Sequence, residues 1–558
     1  MEKLKTQDQI CAGWFKWPDF WIQAVLFFSG FVALFYLLTN GVPLIQAGWM
    51  HELGKKSKYV RPMMISVPVF AALMFLAWWK FRTIFDGSCW VMLWRALCRM
   101  PLKSLVFCFF VLYASMMAIV GFERQLALET RAFDLGIFAQ AVWNTLQGDF
   151  LFSSLKENIV LLGDHVSPIL LMITPFYAVW PDPRTLVLLQ AIAAASSFFP
   201  LALIARDKLK DRSLVLIFLL MFFFFQPMRA ALHSDFHPEV LAEPFLWWAF
   251  FFLDRGKIVR FLLCLAVAVT GKENFLVIAF MFGVYAFFWK KMRGLGIFVA
   301  LGSVGLFLWE TKWLVPHLSG AKYFYAANYA NILNDPTGGI LQRLFAGESL
   351  EYALKVYLPF LFFPFFNLPT LFLTFPVFFQ NLLTGGGGFR SFNYHYFTGL
   401  TPFLFISTIY GLARLKEQKA WIRQQLIPIG FLMLSVSILR SGPSEYWLFW
   451  EIHSHRNAHT DMVREKLREI PSNYRVLTHN ALIPQLCNRK YVHQFNYNTD
   501  TTKLQQADKY RVDYLIWDIR CWEPNTLPLE KTLADAKAAG FAAEFEKDGF
   551  FILKRKIT

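Results

Sequence analysis

Acidic side chains, histidines and one lysine recur in short polar stretches that separate long apolar runs. The candidates are Asp134 in FDLGIF, Asp164 and His165 in DHVSP, Asp235, His237 and Glu239 in DFHPE, Lys272 and Glu273 in GKEN, and His395 in NYHYF. A carboxylate can remove a proton from a hydroxyl group, and a lysine or histidine can neutralise a phosphate. These residue types indicate acid–base and anion-binding chemistry if the fold brings them together.

Each motif also has a purely structural interpretation. Asp134 could cap a short helix, because an Asp side chain accepts hydrogen bonds from the first free helix amides. Ser167 or Asp235 could cap in the same way, with Pro168 and Pro238 as the first helical residues. Capping explains one acid or hydroxyl per motif. It does not explain why a histidine stands beside the carboxylates.

The other polar residues present a similar choice. Lys272 and Glu273 could form a simple ion pair, and His395 could be packed among the aromatic residues that flank it. Glu239 and Glu243 enter an apolar run, where an ionised side chain costs about 2.5–3.5 kcal/mol. We therefore expect these two glutamates to face protein or a water-filled cavity. The convergence of acids, histidines and a lysine favours a functional site.

The elements that position these residues are apolar helices. Hydrophobic residues make up 56% of the 558 residues, charged residues make up 17%, and the mean hydropathy is +0.40. Runs such as SLVFCFFVLYASMMAIVGF approach the roughly 20 apolar residues that a helix needs to cross a bilayer. The sequence thus predicts an α-helical polytopic membrane protein. The net charge of +16 lies largely in short loops, which favours membrane lipids over nucleic acid as its partner.

Basic loops predict which side of the membrane each segment faces. Lys and Arg cluster in five loops, at 95–103, 206–212, 254–260, 290–293 and 414–423. The positive-inside rule places these loops in the cytoplasm, together with the N-terminus. About thirteen spans then place all the candidate motifs on the outer face, although the basic loop 51–61 disagrees with this arrangement. We expect extra membrane segments at 1–103 and a transmembrane domain at 104–440.

The composition changes after about residue 440. Strand-like runs (RVLTH, KYVHQF, VDYLIWDI, FFILKRK) alternate with helical ones (DMVREKLREI, EKTLADAKAAG), which predicts a small extracytoplasmic α/β domain at 441–558. Its sequence has no glycine-rich nucleotide-binding motif. Cys487 and Cys521 share this region, where we expect unpaired cysteines, with a disulfide as the alternative.

A site at the membrane rim suits a substrate with an apolar tail and a charged head. Transfer of a sugar from a polyprenyl-phosphate-linked donor meets this requirement, because lysine or histidine can neutralise the leaving phosphate. A carboxylate opposite the phosphate would deprotonate the acceptor hydroxyl, and the configuration at the anomeric carbon would be inverted.

Two alternative functions stay open. One is a transporter or lipid flippase, although such proteins usually place ionisable groups near mid-membrane in repeated halves. The other is a non-catalytic envelope assembly protein.

Several ordered motifs carry a resemblance to a known family. They are FDLGIFAQAVWN, DHVSPILLMITPFYAVWP, DFHPEVLAEPF, GKENFLVIAF, NLLTGGGGFRSFNYHY and VLTHNALIPQL. From about residue 104 onward, the chain resembles the bacterial membrane-protein family catalogued as domain of unknown function 2079. That family is similar to the GT-C glycosyltransferases, whose first outer loop carries a catalytic Asp on a juxtamembrane helix.

The resemblance implies that Asp134 is the catalytic base and that juxtamembrane helices occupy 134–147 and 168–180. Together with the clustering, it suggests a bacterial inner-membrane transferase with an envelope glycan, lipid or protein as acceptor. The other candidates are expected to contact phosphate (His165, His237, Lys272), to orient or bind sugar (Asp164, Asp235, Glu239, Glu273), or to bind substrate in another way (His395).

Metal dependence is not expected. Many GT-C enzymes carry adjacent acids in the first outer loop, whereas Asp134 is followed by Leu135. A single Asp is a poor site for a divalent cation, which prefers several ligands, unless Asp164, Asp235 or a histidine joins it. The resemblance and this departure from it together predict catalysis without a metal or other cofactor.

Overall fold

The computed structural model describes residues 89–441, 445–495, 507–520 and 536–556. The predicted N-terminal membrane segments lie outside these ranges, apart from residues 89–103. The basic loop 51–61 and Cys521 also lie outside them, so neither the early topology nor a Cys487–Cys521 disulfide is tested.

Helices dominate the described chain between residues 89 and 439. The α-helices are α1 (Cys89–Arg99), α2 (Leu102–Leu126), α3 (Ile137–Leu146), α4 (Thr174–Val179), α5 (Arg184–Ser196), α6 (Phe198–Leu209), α7 (Arg212–Phe223), α8 (Gln226–His233), α9 (Pro238–Asp254), α10 (Ile258–Val269), α11 (Phe275–Phe288), α12 (Arg293–Trp309), α13 (Val315–Ser319), α14 (Ala330–Asn334), α15 (Pro336–Leu344), α16 (Gly347–Tyr357), α17 (Leu368–Leu371), α18 (Phe375–Leu383), α19 (Thr401–Gln418) and α20 (Ala420–Leu439). A two-stranded antiparallel hairpin, β1 (Phe152–Ser153) and β2 (Ile159–Val160), interrupts them.

Five helical segments within the described ranges are long and apolar enough to cross a membrane. They are Leu102–Leu126, Arg184–Leu209, Arg212–His233, Arg293–Ser319 and Trp421–Leu439. Three further apolar helical segments are shorter: Ile258–Val269, Phe275–Phe288 and Leu368–Leu383. The protein is therefore an integral membrane protein by length and composition of its helices. The expected count of about thirteen spans is not confirmed by these segments.

Two short helical stretches lie where the juxtamembrane helices were expected. The first is α3, which follows a tight turn at Ala132–Gly136. The second is the 3₁₀ turn Pro168–Met172, which continues into α4. Pro168 and Pro238 are first helical residues, as predicted, because proline lacks the amide hydrogen that would be unbonded there.

Glu243 shows how the helices bury an acid. Its side chain is fully buried, and it accepts hydrogen bonds from the Ser197 hydroxyl (2.5 Å) and the Trp247 indole (2.6 Å). The expectation that Glu243 faces protein rather than lipid is confirmed. The surrounding core is aromatic, with Trp247, Phe222 and Phe405 in contact at centroid distances of 5.6–6.2 Å.

The C-terminal part of the chain contains a mixed sheet. Its elements are α21 (Glu445–Ser454), α22 (Ala458–Arg468), β3 (Val476–Thr478), α23 (Ile483–Leu486), β4 (Val492–Gln494), β5 (Tyr514–Asp518), β6 (Phe541–Lys547) and β7 (Phe550–Arg555). The strand order is β4-β3-β5-β7-β6, in which β4, β3 and β5 are parallel and β7 is antiparallel to both β5 and β6. Four strands lie where the sequence predicts them, and β6 was not predicted. We call residues 458–555 the C-terminal α/β region.

Candidate functional site

A cavity of about 1000 Å³ lies at one end of the apolar helices. Seven of the nine candidate residues line it: Asp134, His165, His237, Glu239, Lys272, Glu273 and His395. They come from the segment after α2, from the loop before α4, from the start of α9, from the α10–α11 loop and from the turn before α19. These positions are far apart in sequence and meet because the helices that carry them end on the same side.

Asp134 has an unusual backbone conformation. Its φ is 95° and its ψ is −86°, a combination that L-residues strongly disfavour. The turn around it is held by bonds across five residues: the Gly136 amide donates to the Arg131 carbonyl, and the Ile137 amide donates to that of Ala132. Its side chain is 45% exposed, and it lines the cavity. Residues with such disfavoured backbone conformations are common at functional sites.

The capping interpretation of three residues is wrong. In the described part of the chain, no side chain accepts a hydrogen bond from the first amides of α3, so Asp134 is not its cap. The same holds for the turn that begins at Pro168, where Ser167 precedes the helix without capping it, and for α9. The residue before α9 is His237, and Asp235 lies two residues earlier.

Asp235 binds the backbone that precedes Asp134. Its carboxylate accepts a hydrogen bond from the Arg131 amide (3.0 Å) and forms an ion pair with Arg124 (2.7 Å). Its own backbone has a φ of 72°. The buried Gln190 side chain fixes this turn, because its amide nitrogen donates to the Asp235 carbonyl and its oxygen accepts from the His237 amide. Asp235 therefore supports the backbone next to Asp134.

His237 joins Asp134 to the rest of the cavity. Its Nδ1 lies 4.0 Å from the Asp134 carboxylate, and its Nε2 lies 2.8 Å from the Ser234 carbonyl. The ring stacks on that of His395 at a centroid distance of 3.6 Å. His237 is 2% exposed, so its orientation is fixed by these three contacts. Its imidazole can orient the Asp134 carboxylate.

Lys272 and Glu239 form a buried ion pair. The Lys272 Nζ lies 2.6 Å from the Glu239 carboxylate, and the His395 Nε2 lies 3.7 Å from the same oxygen. Burial alone would lower the pKa of Lys272, but the carboxylates of Glu239 and Glu273 outweigh it and hold that pKa above the ordinary lysine value. Lys272 is therefore charged. An ammonium has three donors, and Glu239 uses one of them.

Glu273 connects several residues in another part of the cavity wall. Its carboxylate accepts hydrogen bonds from the Val166 amide (3.1 Å) and the Tyr323 hydroxyl (2.7 Å), and it pairs with His165 at 3.0 Å. Burial raises the pKa of Glu273, but His165, Lys272 and the Tyr323 hydroxyl outweigh burial and lower this pKa to about 2. Tyr325 stacks on His165 at 4.1 Å. Tyr323 and Tyr325 thus form part of the cavity wall beside Glu273 and His165.

Two further pKa shifts define the charge of the cavity. Burial and then the neighbouring His237 hold the pKa of His395 well below the ordinary histidine value, so this ring is neutral. Surrounding protein raises the pKa of Asp134, and His237 opposes that increase without cancelling it. The Asp134 carboxylate meets cavity water but lies deep among protein atoms, which explains how it can be both accessible and poorly solvated. A raised pKa makes it a stronger base.

Asp164 and Asp235 lie outside the cavity lining within the described residues. Asp164 pairs with Lys156 at 2.9 Å and is 20% exposed. Gln190, Tyr323 and Tyr325 belong to the site but were not predicted as site residues. The tyrosines lie in a Tyr/Asn-rich stretch between apolar runs, which is a signal for a polar outer loop. The sequence offered no corresponding signal for Gln190, which sits in an apolar helix.

One group in the cavity has the side chains to hold a metal ion. Ligand atoms of His237, Glu239 and His395 all lie within 4.8 Å of one another. Two histidines and a carboxylate would suit a transition metal such as zinc. However, the Lys272 ammonium already neutralises Glu239, and a cation at this place would have to displace it. The cavity therefore has its own positive charge without a metal.

The apolar helices and the cavity at their ends define the chain as a multi-helix membrane protein with a polar site. The chain belongs to the family described as predicted membrane protein (DUF2079), whose model matches residues 124–552. This match confirms the resemblance noted in the sequence. No curated protein matches the chain.

Solved structures of ArnT from Cupriavidus metallidurans are similar to the chain. The crystal structure bound to undecaprenyl phosphate aligns with a TM-score of 0.49 and 11% identity, over 79% of this chain and 97% of that one. The apo crystal structure aligns with a TM-score of 0.48 and the same identity and coverage. A similarity of this size does not assign chemistry, which must be argued from the cavity.

Proposed function

We propose that the protein is a glycosyltransferase of GT-C type that moves a sugar from a polyprenyl-phosphate-linked donor to a cell-envelope acceptor. The observation that carries this proposal is that one cavity is lined both by an exposed carboxylate, Asp134, and by a largely buried lysine, Lys272. Asp134 is accessible and basic, and Lys272 has donors to spare. Group transfer from a phosphate needs a base on one side of the sugar and a cation on the other.

The proposed step is a single inverting displacement. The acceptor hydroxyl oxygen bonds to the anomeric carbon while the bond from that carbon to the phosphate oxygen breaks. Asp134 takes the hydroxyl proton, and the leaving oxygen keeps the electron pair as polyprenyl phosphate. Lys272 stabilises the charge that develops on this phosphate, helped by His165. Glu239 holds Lys272 in place, and His237 orients Asp134.

The remaining candidate acids take supporting roles in this proposal. Glu273 fixes His165 and Tyr323 at the wall where the sugar would lie. Neutral His395 can donate a hydrogen bond to the substrate or accept one from it. Asp164 and Asp235 would act through the loops that they hold, by their pairs with Lys156 and Arg124.

An apolar groove next to the cavity suits the lipid tail of the donor. It has a volume of about 260 Å³ and is lined by residues of the second juxtamembrane stretch, α5 and α9, including Ile169, Leu189 and Leu241. Ser167 and Pro238, which precede Ile169 and Leu241 in the chain, line the main cavity. A polyprenyl chain here would place its phosphate at the polar site. The proposal sets the protein in the bacterial inner membrane, with the cavity and the C-terminal α/β region on the outer side.

The direct test is turnover of donor by the purified protein in nanodiscs. Polyprenyl-linked sugars extracted from a strain that lacks the protein serve as donor, and an envelope extract serves as acceptor. We expect free polyprenyl phosphate to be released in proportion to protein. Unchanged donor, with uptake of the same lipid across a liposome membrane, would favour the flippase alternative.

The pH dependence should report on Asp134. Because the base must be deprotonated, kcat/KM should fall as the pH drops through the Asp134 pKa, at a pH above the usual Asp value of about 3.9. Replacing His237 with Gln removes the group that lowers this pKa, so the acid limb should move to higher pH. His455→Gln, at an exposed histidine outside the cavity, is the control. An acid limb unchanged in His237→Gln would contradict the assignment.

Metal removal should leave the rate unchanged. Dialysis against EDTA is expected to preserve kcat, because Lys272 supplies the positive charge that a metal would otherwise provide. The measurement is the donor turnover assay before and after chelation, with metal content measured on the same sample. A rate that disappears with EDTA and returns with a divalent cation would overturn metal-independent catalysis, as would a bound ion touching Asp134.

A further inference from the structure

We propose that Asn480, in the C-terminal α/β region, is a positioning residue that fixes the conformation of the Asp134 segment. This inference rests on the proposed function, because the position of Asp134 matters only if Asp134 acts on substrate. It makes the C-terminal region part of the catalytic apparatus rather than a separate module that binds a partner.

Two side chains hold the backbone that precedes Asp134. The Arg131 amide donates to the Asp235 carboxylate at 3.0 Å, and the Ala132 amide donates to the Asn480 side-chain oxygen at 2.7 Å. Asp235 comes from the helical part of the chain, whereas Asn480 follows strand β3 of the C-terminal sheet. The base is thus anchored from two sides, by residues about 100 and 350 positions away in sequence.

Apolar packing strengthens the C-terminal anchor. Ala132 is fully buried in the same hydrophobic cluster as Val463, Leu482 and Ile483, which belong to the C-terminal α/β region. A Cβ added at Gly136 would meet a methyl carbon of Ile483 at 3.0 Å, so the turn lies directly against this region. The residues on both sides of Asp134 are therefore packed against the C-terminal region.

Helix α3, which follows the turn, is attached in the same way. The buried Gln140 side chain donates to the carbonyls of Arg489 and Lys490, both at 3.1 Å. Its oxygen accepts from the Ser153 hydroxyl, and the neighbouring Ser154 hydroxyl donates to the Val492 carbonyl of β4 at 2.7 Å. The C-terminal α/β region thus contacts the chain both before and after Asp134.

Anchoring is needed because the Asp134 conformation is disfavoured. A non-glycine residue at a φ of 95° keeps that geometry only when its surroundings impose it. Without the Asn480 oxygen, the Ala132 amide loses its partner, and the turn can relax toward an ordinary conformation. Misplacement of a catalytic group by about 1 Å can cost about 100-fold in rate. Asn480 should therefore affect kcat rather than substrate binding.

The test compares three variants of the full-length protein. Asn480→Ala removes the acceptor for the Ala132 amide. Asn480→Asp keeps an acceptor oxygen at the same place. Asn488→Ala is the matched control, because Asn488 also links the C-terminal region to the helical part, by accepting from the Tyr177 hydroxyl and donating to the Pro181 carbonyl, both at 2.6 Å. These contacts lie at α4, away from the Asp134 turn.

We expect Asn480→Ala to lower kcat by about 100-fold with KM unchanged. Asn480→Asp should restore most of kcat, and Asn488→Ala should retain it even where its Tm falls as much as that of Asn480→Ala. Hydrogen exchange of a peptide covering 131–136 should be faster in Asn480→Ala alone. Equal losses of kcat in Asn480→Ala and Asn488→Ala, or failure of Asn480→Asp to rescue, would overturn the proposal.

The exchange measurement separates this inference from the function on which it rests. If Asp134→Asn keeps the wild-type kcat, the proposed function fails. Faster exchange of 131–136 in Asn480→Ala would then still identify Asn480 as the anchor of this turn. If exchange is the same in all variants, Asn480 does not hold the segment, whatever the reaction.

Discussion

Replacing Asp134 with Asn is expected to lower kcat by about 10²–10⁴-fold while KM for the donor stays close to the wild-type value. The reason is that an amide is nearly isosteric with the carboxylate but cannot accept the proton of the acceptor hydroxyl in the transition state. The side chain faces the cavity rather than the protein core, so the fold should tolerate the change. The measurement is donor turnover by purified protein in nanodiscs.

Asp182→Asn provides the matched control for this prediction. Asp182 lies in the turn before α5, where it pairs with Arg184 at 2.7 Å, and it is 26% exposed. The same chemical change there should leave kcat unaltered. Wild-type turnover by Asp134→Asn would remove the proposed base, and an equal loss in Asp182→Asn would show that the assay follows the fold rather than the chemistry.

The second large effect concerns the Lys272–Glu239 pair. Replacing Lys272 with Met leaves the Glu239 carboxylate buried without its cation, which should lower the free energy of unfolding by about 3–5 kcal/mol. Turnover should be lost as well, because the phosphate loses its charged contact. The double variant Lys272→Met/Glu239→Gln should recover most of the Tm, since a buried ion pair replaced by neutral groups often costs little, but it should stay inactive.

Lys290→Met is the control for this pair of variants. Lys290 contacts Asp254 at 2.9 Å, and both side chains are largely buried, at the other end of helix α9. Its loss should lower the Tm without changing kcat of the protein that remains folded. Recovered turnover in the Lys272→Met/Glu239→Gln variant would show that Lys272 has only a structural role.

Much of the site could be predicted from the spacing of the motifs along the chain and from the side of the membrane that each motif faces. Helices of membrane-spanning length must end at the surfaces of the bilayer, so motifs at alternate helix ends share one face. This reasoning brought His165, Lys272 and His395 to one place, and they do line a common cavity. It gave no distances, so it could not distinguish Glu239, which pairs with Lys272, from Asp164, which pairs with Lys156 outside the cavity.

The support of the site could not be predicted from sequence. Asn480 holds the site through one hydrogen bond across 348 positions, and Gln190 through two across 45–47 positions. Such isolated contacts leave no periodic pattern in the sequence. The capping interpretation of Asp134 was wrong for a related reason. Local sequence cannot reveal that the turn adopts a strained φ imposed by distant partners.

The parts of the fold with a regular hydrophobic pattern could be predicted from the sequence, and the parts without one could not. Short, strand-like apolar runs correctly indicated strands β3, β4, β5 and β7, because a strand that is packed on both faces is apolar along most of its length. The number of spans was not confirmed. Helix α9, for example, contains 17 residues with Pro244 inside it, and several apolar runs are divided into short helices. Hydropathy counts apolar runs, but tertiary packing decides where each helix breaks.

Asp134 is the proposed base in the transfer of a polyprenyl-linked sugar. The most direct test is a mass-spectrometric profile of envelope glycans and polyprenyl-phosphate sugars in a deletion strain that carries either the wild type or Asp134→Asn at matched abundance. We expect the wild type alone to restore the missing envelope sugar, and we expect the strain with Asp134→Asn to accumulate the same sugar on polyprenyl phosphate. Restoration of the sugar by both proteins would contradict this role of Asp134.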